Sequence, residues 1–284
     1  GSLPLKISGQ LQSGDFEIRG DISSQYITGL LLALPVLDGD SRIVLTTPLR
    51  SKPYVAMTIK VLADYGVEVL ETDYGYFVRG NQQYAVRDYT VEGDWSHAAF
   101  FMSAAAIGGR ITLKGLDLNS AQGDKAVCEV MRRFGAKVTA DENGITCVHD
   151  KLSGIEIDCN DIPDMAPAIA VTAAFAKGQT VIRGAQRLRF KESDRLEAIA
   201  FNLKKMGAGV TVTQDSMVIT PACVHGAELK GYNDHRIVMA FSVAASFAAG
   251  DTVIDEAESI NKTYPSFFED LNSLGGKANV INAG

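Results

Sequence analysis

The sequence predicts an α/β protein made of repeated βαβαββ units, with apolar helices inside and sheets outside. Three observations predict it. Four segments are apolar on nearly every side of a helix, each is followed by a Gly turn and a β-branched strand, and each copy then has a second, one-faced helix closing on glycine. The closing glycines, Gly66, Gly135, Gly207 and Gly275, lie 69, 72 and 68 residues apart, so the copies keep register.

The all-round apolar helices span Tyr26 to Leu34, Ala98 to Ile107, Ala166 to Ala176 and Ile237 to Ala248. The strands after them begin at Gly39-Asp40-Ser41, Gly109-Arg110-Ile111, Gly178-Gln179-Thr180 and Gly250-Asp251-Thr252. The second helices carry one apolar stripe each: Val55, Ile59 and Leu62; Val127, Val130, Met131 and Phe134; Leu196, Ile199 and Leu203; Phe267, Leu271 and Leu274. A doubly wound nucleotide fold is the alternative. Against it, no Gly-x-Gly-x-x-Gly follows a strand, and Gly207-Ala208-Gly209 follows a helix and reads as its C-cap. A soft domain boundary falls near Tyr89, where Glu92-Gly93-Asp94 opens the second copy.

With 284 residues, 46% hydrophobic and 21% charged, the chain has material for two domains. A net charge of -7 argues against nucleic acid or a membrane surface as partner, so any anionic ligand needs a local cluster of cations. Cys128, Cys147, Cys159 and Cys223 have no metal-ligand spacing, nor do the four histidines, and buried thiols in a reducing cytoplasm are expected. The longest apolar run, Ile237 to Ala249, is too short to span a bilayer. Gly1-Ser2 reads as a cloning remnant.

The copies differ in their polar loops, where function is expected to sit. Asp21-Ile22-Ser23-Ser24-Gln25 precedes the first apolar helix, as a cap or a phosphate cradle. Ser51-Lys52-Pro53-Tyr54 opens the next helix, again as a cap or a ligand contact. Ile162-Pro163-Asp164 puts a carboxylate at a helix start, where it would ordinarily cap. Arg187 to Arg195 gathers four cations and two carboxylates before a helix, and Tyr232-Asn233-Asp234-His235-Arg236 and Asn261-Lys262-Thr263 add two more cations at helix starts. Cations there oppose the helix dipole, so Lys52, Lys191, Arg195, Arg236 and Lys262 point to a multiply charged anion.

In Ser23-Ser24-Gln25, Ser51-Lys52-Pro53-Tyr54, Ile162-Pro163-Asp164, Lys191-Glu192-Ser193-Asp194-Arg195, Asn233-Asp234-His235-Arg236 and Lys262-Thr263, the chain resembles the EPSP synthase (3-phosphoshikimate 1-carboxyvinyltransferase) family from Leu3 almost to its end. The resemblance implies the inside-out α/β barrel fold of enolpyruvyl transferases, with ligands in a cleft between two domains. Residues 1–89 would be the last unit of an N-terminal domain and 90–284 a C-terminal domain of three units. An early Lys-Ser pair, a Gly-Asn-Ala-Gly-Thr segment and an arginine of the family pattern have no counterpart here, so the chain alone is expected to be inactive.

The implied reaction moves the enolpyruvyl group of phosphoenolpyruvate to the 5-hydroxyl of shikimate 3-phosphate, in aromatic amino acid biosynthesis. Ser23, Ser24 and Ser51 would hold the shikimate phosphate, with Gln25 and Tyr54 near its ring or the incoming substrate. Lys191, Arg195, Arg236 and Lys262 would grip phosphoenolpyruvate. Asp164 would partner the attacking hydroxyl, Glu192 would exchange a proton with the methylene carbon, and His235 would support that site. Arg187 departs from the asparagine of many members. No metal or organic cofactor is implied, nor a partner chain beyond self-association, and the location is cytoplasmic. The alternatives are enolpyruvyl transfer to UDP-N-acetylglucosamine and a non-catalytic anion-binding chain.

Overall fold

The computed structural model describes residues 4–281, so Gly1-Ser2 lies outside the described residues. It divides into two compact units, Gly1–Thr90 and Val91–Gly284.

The first unit runs β1 (Asp15–Ile18), α1 (Ser24–Ala33), β2 (Ser41–Leu45), α2 (Lys52–Asp64), β3 (Val69–Thr72) and β4 (Gly75–Val78). Its sheet has the order β1-β2-β4-β3, with β1 and β2 parallel and β4 antiparallel to both its neighbours. Helix α1 begins because extended Ser23 accepts the Gln25 backbone N–H on its hydroxyl. Pro53 in the first turn suits α2, and Gly66 stops it in the left-handed region that glycine favours. Ile27, Leu31, Ile43, Val55, Leu62 and Val78 form the core between helices and sheet.

One expectation fails here in an instructive way. Helix α1 reads as apolar all round, yet in the structure it buries only Ser24, Ile27 and Leu31, while Tyr26 is 56% and Leu32 47% exposed. Hydrogen exchange is therefore expected to show residues 20–88 opening more readily than residues 91–281. Uniform protection across the chain would contradict this.

The second unit holds three copies. The first comprises α3 (Trp95–Gly108), β5 (Arg110–Leu113), α4 (Val127–Phe134), β6 (Lys137–Asp141) and β7 (Gly144–Val148). The next has β8 (Glu156–Asp158), α5 (Ala166–Ala174), β9 (Thr180–Arg183), α6 (Arg195–Lys205), β10 (Gly209–Val212) and β11 (Met217–Thr220). The last has β12 (Glu228–Leu229), α7 (His235–Ala245), β13 (Val253–Ile254) and α8 (Phe267–Ser273). Among the described residues, only the first unit and the β8–β11 copy are complete βαβαββ units. The copy of α3 lacks an opening strand, and the copy of α7 keeps a two-stranded sheet without a closing hairpin.

Helices α3, α5 and α7 pack on one another at the centre, and their Ala-rich surfaces let the backbones approach closely. Every residue of α5 is buried. Trp95, Phe100 and Phe241 are fully buried, each contributing about 1.5–3 kcal/mol. Between α3 and α5 the hydroxyls of Ser103 and Thr172 lie 2.6 Å apart, and Thr172 donates to the Ala168 carbonyl. Cys128, Cys147 and Cys159 are buried, and burial pushes the Cys147 and Cys159 thiols up to about 12, leaving them unreactive. Cys223 is exposed, against expectation.

Successive copies are joined in the same way twice. Gly154 donates its N–H to the Lys177 carbonyl at 2.8 Å, and Gly226 donates to the Ala249 carbonyl at 2.7 Å. A β-carbon at either would stand 2.0 Å from a carbonyl oxygen, that of Gln179 or of Asp251. Only glycine admits so close a backbone.

Candidate active site

The starts of α5, α6 and α7 carry a cluster of charged groups, and these converge. Asp164 sits in the 3-10 turn Pro163–Met165 that leads into α5. As an ordinary helix cap it would accept backbone N–H groups. Instead its carboxylate meets three cations: Arg195 Nη1 donates to Oδ1 at 2.8 Å, Lys191 Nζ stands 3.3 Å from Oδ1, and Arg236 Nη2 3.4 Å from Oδ2. The cap at α6 is Asp194, which accepts from the Glu197 N–H, and the cap at α7 is Asp234, which accepts from the Arg236 N–H.

Arg195 organises this cluster from within. Its side chain is 1% exposed, and its guanidinium donates to Asp234 Oδ2 at 2.8 Å, to Asp164 Oδ1, and to Glu192 Oε2 at 2.5 Å. Burial works against its charge, yet Asp234, Asp164 and Glu192 together hold its pKa above the ordinary value. The anion-gripping role that the resemblance implied for Arg195 is thus at odds with its position: its donors are turned to the chain's own carboxylates. Asp234 is likewise fully buried; burial opposes its charge, but Arg195 and the Ser193 hydroxyl overcome this and lower its pKa.

The side chains that face outward are Lys191, 26% exposed, and Glu192, 41% exposed, with Lys262 nearby, whose Nζ donates to the Asn233 carbonyl at 2.5 Å. Tyr232 and Asn233, with φ of 55° and 47°, and Glu256, at 52°, are non-glycine residues in the left-handed region, and Asn233 donates its N–H to Glu256. Such strain, about 1–3 kcal/mol each, tends to collect at functional sites. His235 is 3% exposed and neither ring nitrogen has a hydrogen-bond partner. Burial, then the adjacent Arg236 charge, push its pKa down to about 4. Its imidazole carbon and proton NMR shifts are therefore expected to stay constant between about pH 5 and 8. A titration midpoint near the ordinary value of about 6.5 would contradict this placement. Arg187 lies half-buried in the turn Gln186–Phe190, and Arg189 binds the Thr213 carbonyl and Asp194.

Sequence reasoning missed the start of α3. Asp94 caps it, accepting from the Ser96 and His97 N–H groups, and Ser96 donates its hydroxyl to the buried carboxylate of Asp124. His97 feels the Arg236 charge, and burial lowers its pKa. Beside it lies a shallow pocket of about 270 Å³ lined by Asp94, His97, Phe101, Lys114 and Tyr264. The repeat alignment could have found this set, because Asp124 precedes the second helix of its copy as Lys191 to Arg195 does in the next.

In the first unit, α1 and α2 each follow one of the parallel strands β1 and β2, and Thr28 and Thr58, midway along these helices, share a hydrogen bond of 3.0 Å. Ser23 caps α1, Ser24 is buried and Gln25 exposed. Ser51 is 1% exposed with φ of 54° and its side chain makes no cap, so the capping reading does not apply. The Tyr54 N–H donates to the Ser51 carbonyl. Among the described residues, no three His, Cys, Asp or Glu side chains are placed to hold a metal, and no helix is long and apolar enough to cross a membrane.

Comparison with known proteins gives a consistent result. The family model described as EPSP synthase (3-phosphoshikimate 1-carboxyvinyltransferase) matches residues 1–271. A 3-phosphoshikimate 1-carboxyvinyltransferase of Brachyspira hyodysenteriae is 45% identical over 277 residues, covering 96% of this chain and 66% of that protein. The enzyme of that name from Clostridium kluyveri is 45% identical over 291 residues, covering 100% and 67%. An EPSP synthase structure from Acinetobacter baumannii superposes with a TM-score of 0.82 at 29% identity, over 96% of this chain and 65% of that one. The enolpyruvyl transferase NikO from Streptomyces tendae, at 21% identity and a TM-score of 0.72 over 94% of this chain and 65% of that one, is alike in fold alone. The chain spans about two thirds of the length of these relatives.

Proposed function

The chain belongs to the EPSP synthase family, and from that premise we propose that its residues serve transfer of the enolpyruvyl group from phosphoenolpyruvate to the 5-hydroxyl of shikimate 3-phosphate, releasing phosphate. The observation that carries the reading is the convergence of Lys191, Arg195 and Arg236 on Asp164, with Glu192 fixed beside them.

Addition needs a base at the attacking hydroxyl and an acid at the methylene carbon, on opposite sides of the new bond. Asp164, held in one orientation by its three cations, is suited to the hydroxyl. Glu192, tied by one oxygen to Arg195 and otherwise open to solvent, is suited to giving a proton to the methylene and recovering it on elimination. Expulsion of phosphate develops negative charge, which Lys191, Arg236 and Lys262 would stabilise. Arg195 would act indirectly, by holding Asp164, Glu192 and Asp234. Ser23, Ser24 and Ser51 would bind the acceptor's phosphoryl group, with Gln25, Tyr54 and Arg187 near its ring. The cytoplasm is the proposed location.

The test is a chimera in which this chain replaces the matching two thirds of the Brachyspira hyodysenteriae relative. Phosphate release from phosphoenolpyruvate with shikimate 3-phosphate within about tenfold of that relative, a barrier difference of about 1.4 kcal/mol, is expected. A folded chimera that turns over only with UDP-N-acetylglucosamine, or with neither acceptor, would overturn the reading.

A further inference from the structure

Asn202, on α6, is fully buried and has no part in the chemistry above. Asparagine is a poor helix former, and a buried amide is tolerated only where its hydrogen bonds are made. Its Nδ2 donates to the Lys230 carbonyl at 2.8 Å, and its Oδ1 accepts the Lys230 N–H at 3.0 Å. Arg195 stands seven residues before it, about two helical turns, so the two project from one face of α6. Arg195 binds Asp234. One helix face therefore pins the segment from Lys230 to Asp234 at both ends.

Between those pins the backbone is strained. Tyr232 and Asn233 both have positive φ, and the Asp234 N–H donates to the Gly231 carbonyl at 3.0 Å, the pattern of a type I′ turn. Such turns favour Asn-Gly, and a tyrosine at the first central position opposes one. The turn is held from outside instead. Besides the Asn202 clasp, Glu256 Oε2 accepts the Asn233 N–H at 2.7 Å, and the Phe201 ring meets that of Tyr232 edge-on with centroids 6.2 Å apart. The turn presents the Asn233 carbonyl, to which Lys262 Nζ donates at 2.5 Å. One of the three ammonium donors is used there and two remain. An exposed lysine otherwise spreads over many rotamers, so this contact spares part of the entropy lost when it takes a ligand.

We propose that Asn202 is a positioning residue for Lys262: by closing on Lys230 it keeps the Gly231–Asp234 turn left-handed, and so keeps the Asn233 carbonyl where it orients the Lys262 ammonium for a bound anion. Glu256 supports the same turn. The inference rests on the reading that Lys262 helps to hold that anion.

The test is calorimetric titration of the 284-residue chain and its variants with sulfate, with folding followed by Trp95 fluorescence. Asn202→Leu, close in shape but unable to hydrogen-bond, is expected to weaken sulfate about tenfold, the lower end of one charge-assisted contact. In a Lys262→Ala background the same substitution is expected to change affinity by less than about twofold, because the group it positions is gone. Losses of similar size in both backgrounds, or no loss in either, overturn the proposal. If Asn202→Leu does not fold, the exposed Glu256 carries the test. Removing its negative charge would by itself favour an anion. The proposal instead expects Glu256→Ala to weaken sulfate about threefold, and Glu256→Gln, which keeps the acceptor, to bind at least as well as the unaltered chain. Unchanged or tighter binding by Glu256→Ala overturns it. Sulfate binding that neither residue affects sinks this inference and leaves the anion site standing; no sulfate binding by the unaltered chain sinks both.

Discussion

Arg195→Ala is expected to destabilise the chain by about 3–5 kcal/mol, because it strands buried carboxylates without their cation. Asp234 is fully buried and Asp164 nearly so, and Arg195 donates to both as well as to Glu192. Trp95, the sole tryptophan and fully buried in the same unit, reports unfolding in urea by its fluorescence. A loss below about 1 kcal/mol, the worth of an exposed ion pair, would show that the cluster is not the interior network described here. The pH dependence has a definite sign. The folded pKa of Asp234 is lowered, so its stabilising effect is present above the unfolded value of about 3.9 and is lost as pH falls through the folded value. Arg195→Ala should remove that part of the acid sensitivity.

On its own the 284-residue chain is expected to release phosphate from phosphoenolpyruvate and shikimate 3-phosphate about 10² to 10⁴-fold more slowly than the chimera. The relatives are half as long again, and the resemblance puts a lysine and an arginine in their additional segment. Two charge-assisted contacts, at about 1.5–3 kcal/mol each, account for that range. Water left in an incompletely closed site would slow the reaction further. Turnover by the chain within about tenfold of the chimera would mean that residues described here replace the ones expected elsewhere.

The central helices were legible because burial on all sides leaves a compositional trace: α3, α5 and α7 contain almost nothing but small and apolar residues after their first turn. The same trace misled at α1, since composition records what a helix can bury and not what it meets. At the site, cations out of place at helix starts signalled Lys191, Arg236 and Lys262. Spacing could not tell an exposed arginine from a buried one, and only packing reveals that Arg195 faces inward. Asp164 and Ser51 were both open to a capping reading, which backbone geometry decides and residue type does not. Asp124 and Ser96 escaped notice because a neutral hydroxyl beside a carboxylate has no pattern in a sequence; their meaning comes from a contact across 28 positions.

The paired close approaches at Gly154 and Gly226 constrain how this gene can diverge. At each, even a methyl group would overlap a main-chain oxygen of the following turn, an obstacle that no rotamer change in a neighbour can relieve. Surrounding codons are free to drift, as the dissimilar residues of the copies attest, but these two are closed to every substitution. In a saturation library both are expected to be depleted, 72 codons apart, the spacing of one repeat kept by sterics where the side chains of the copies differ.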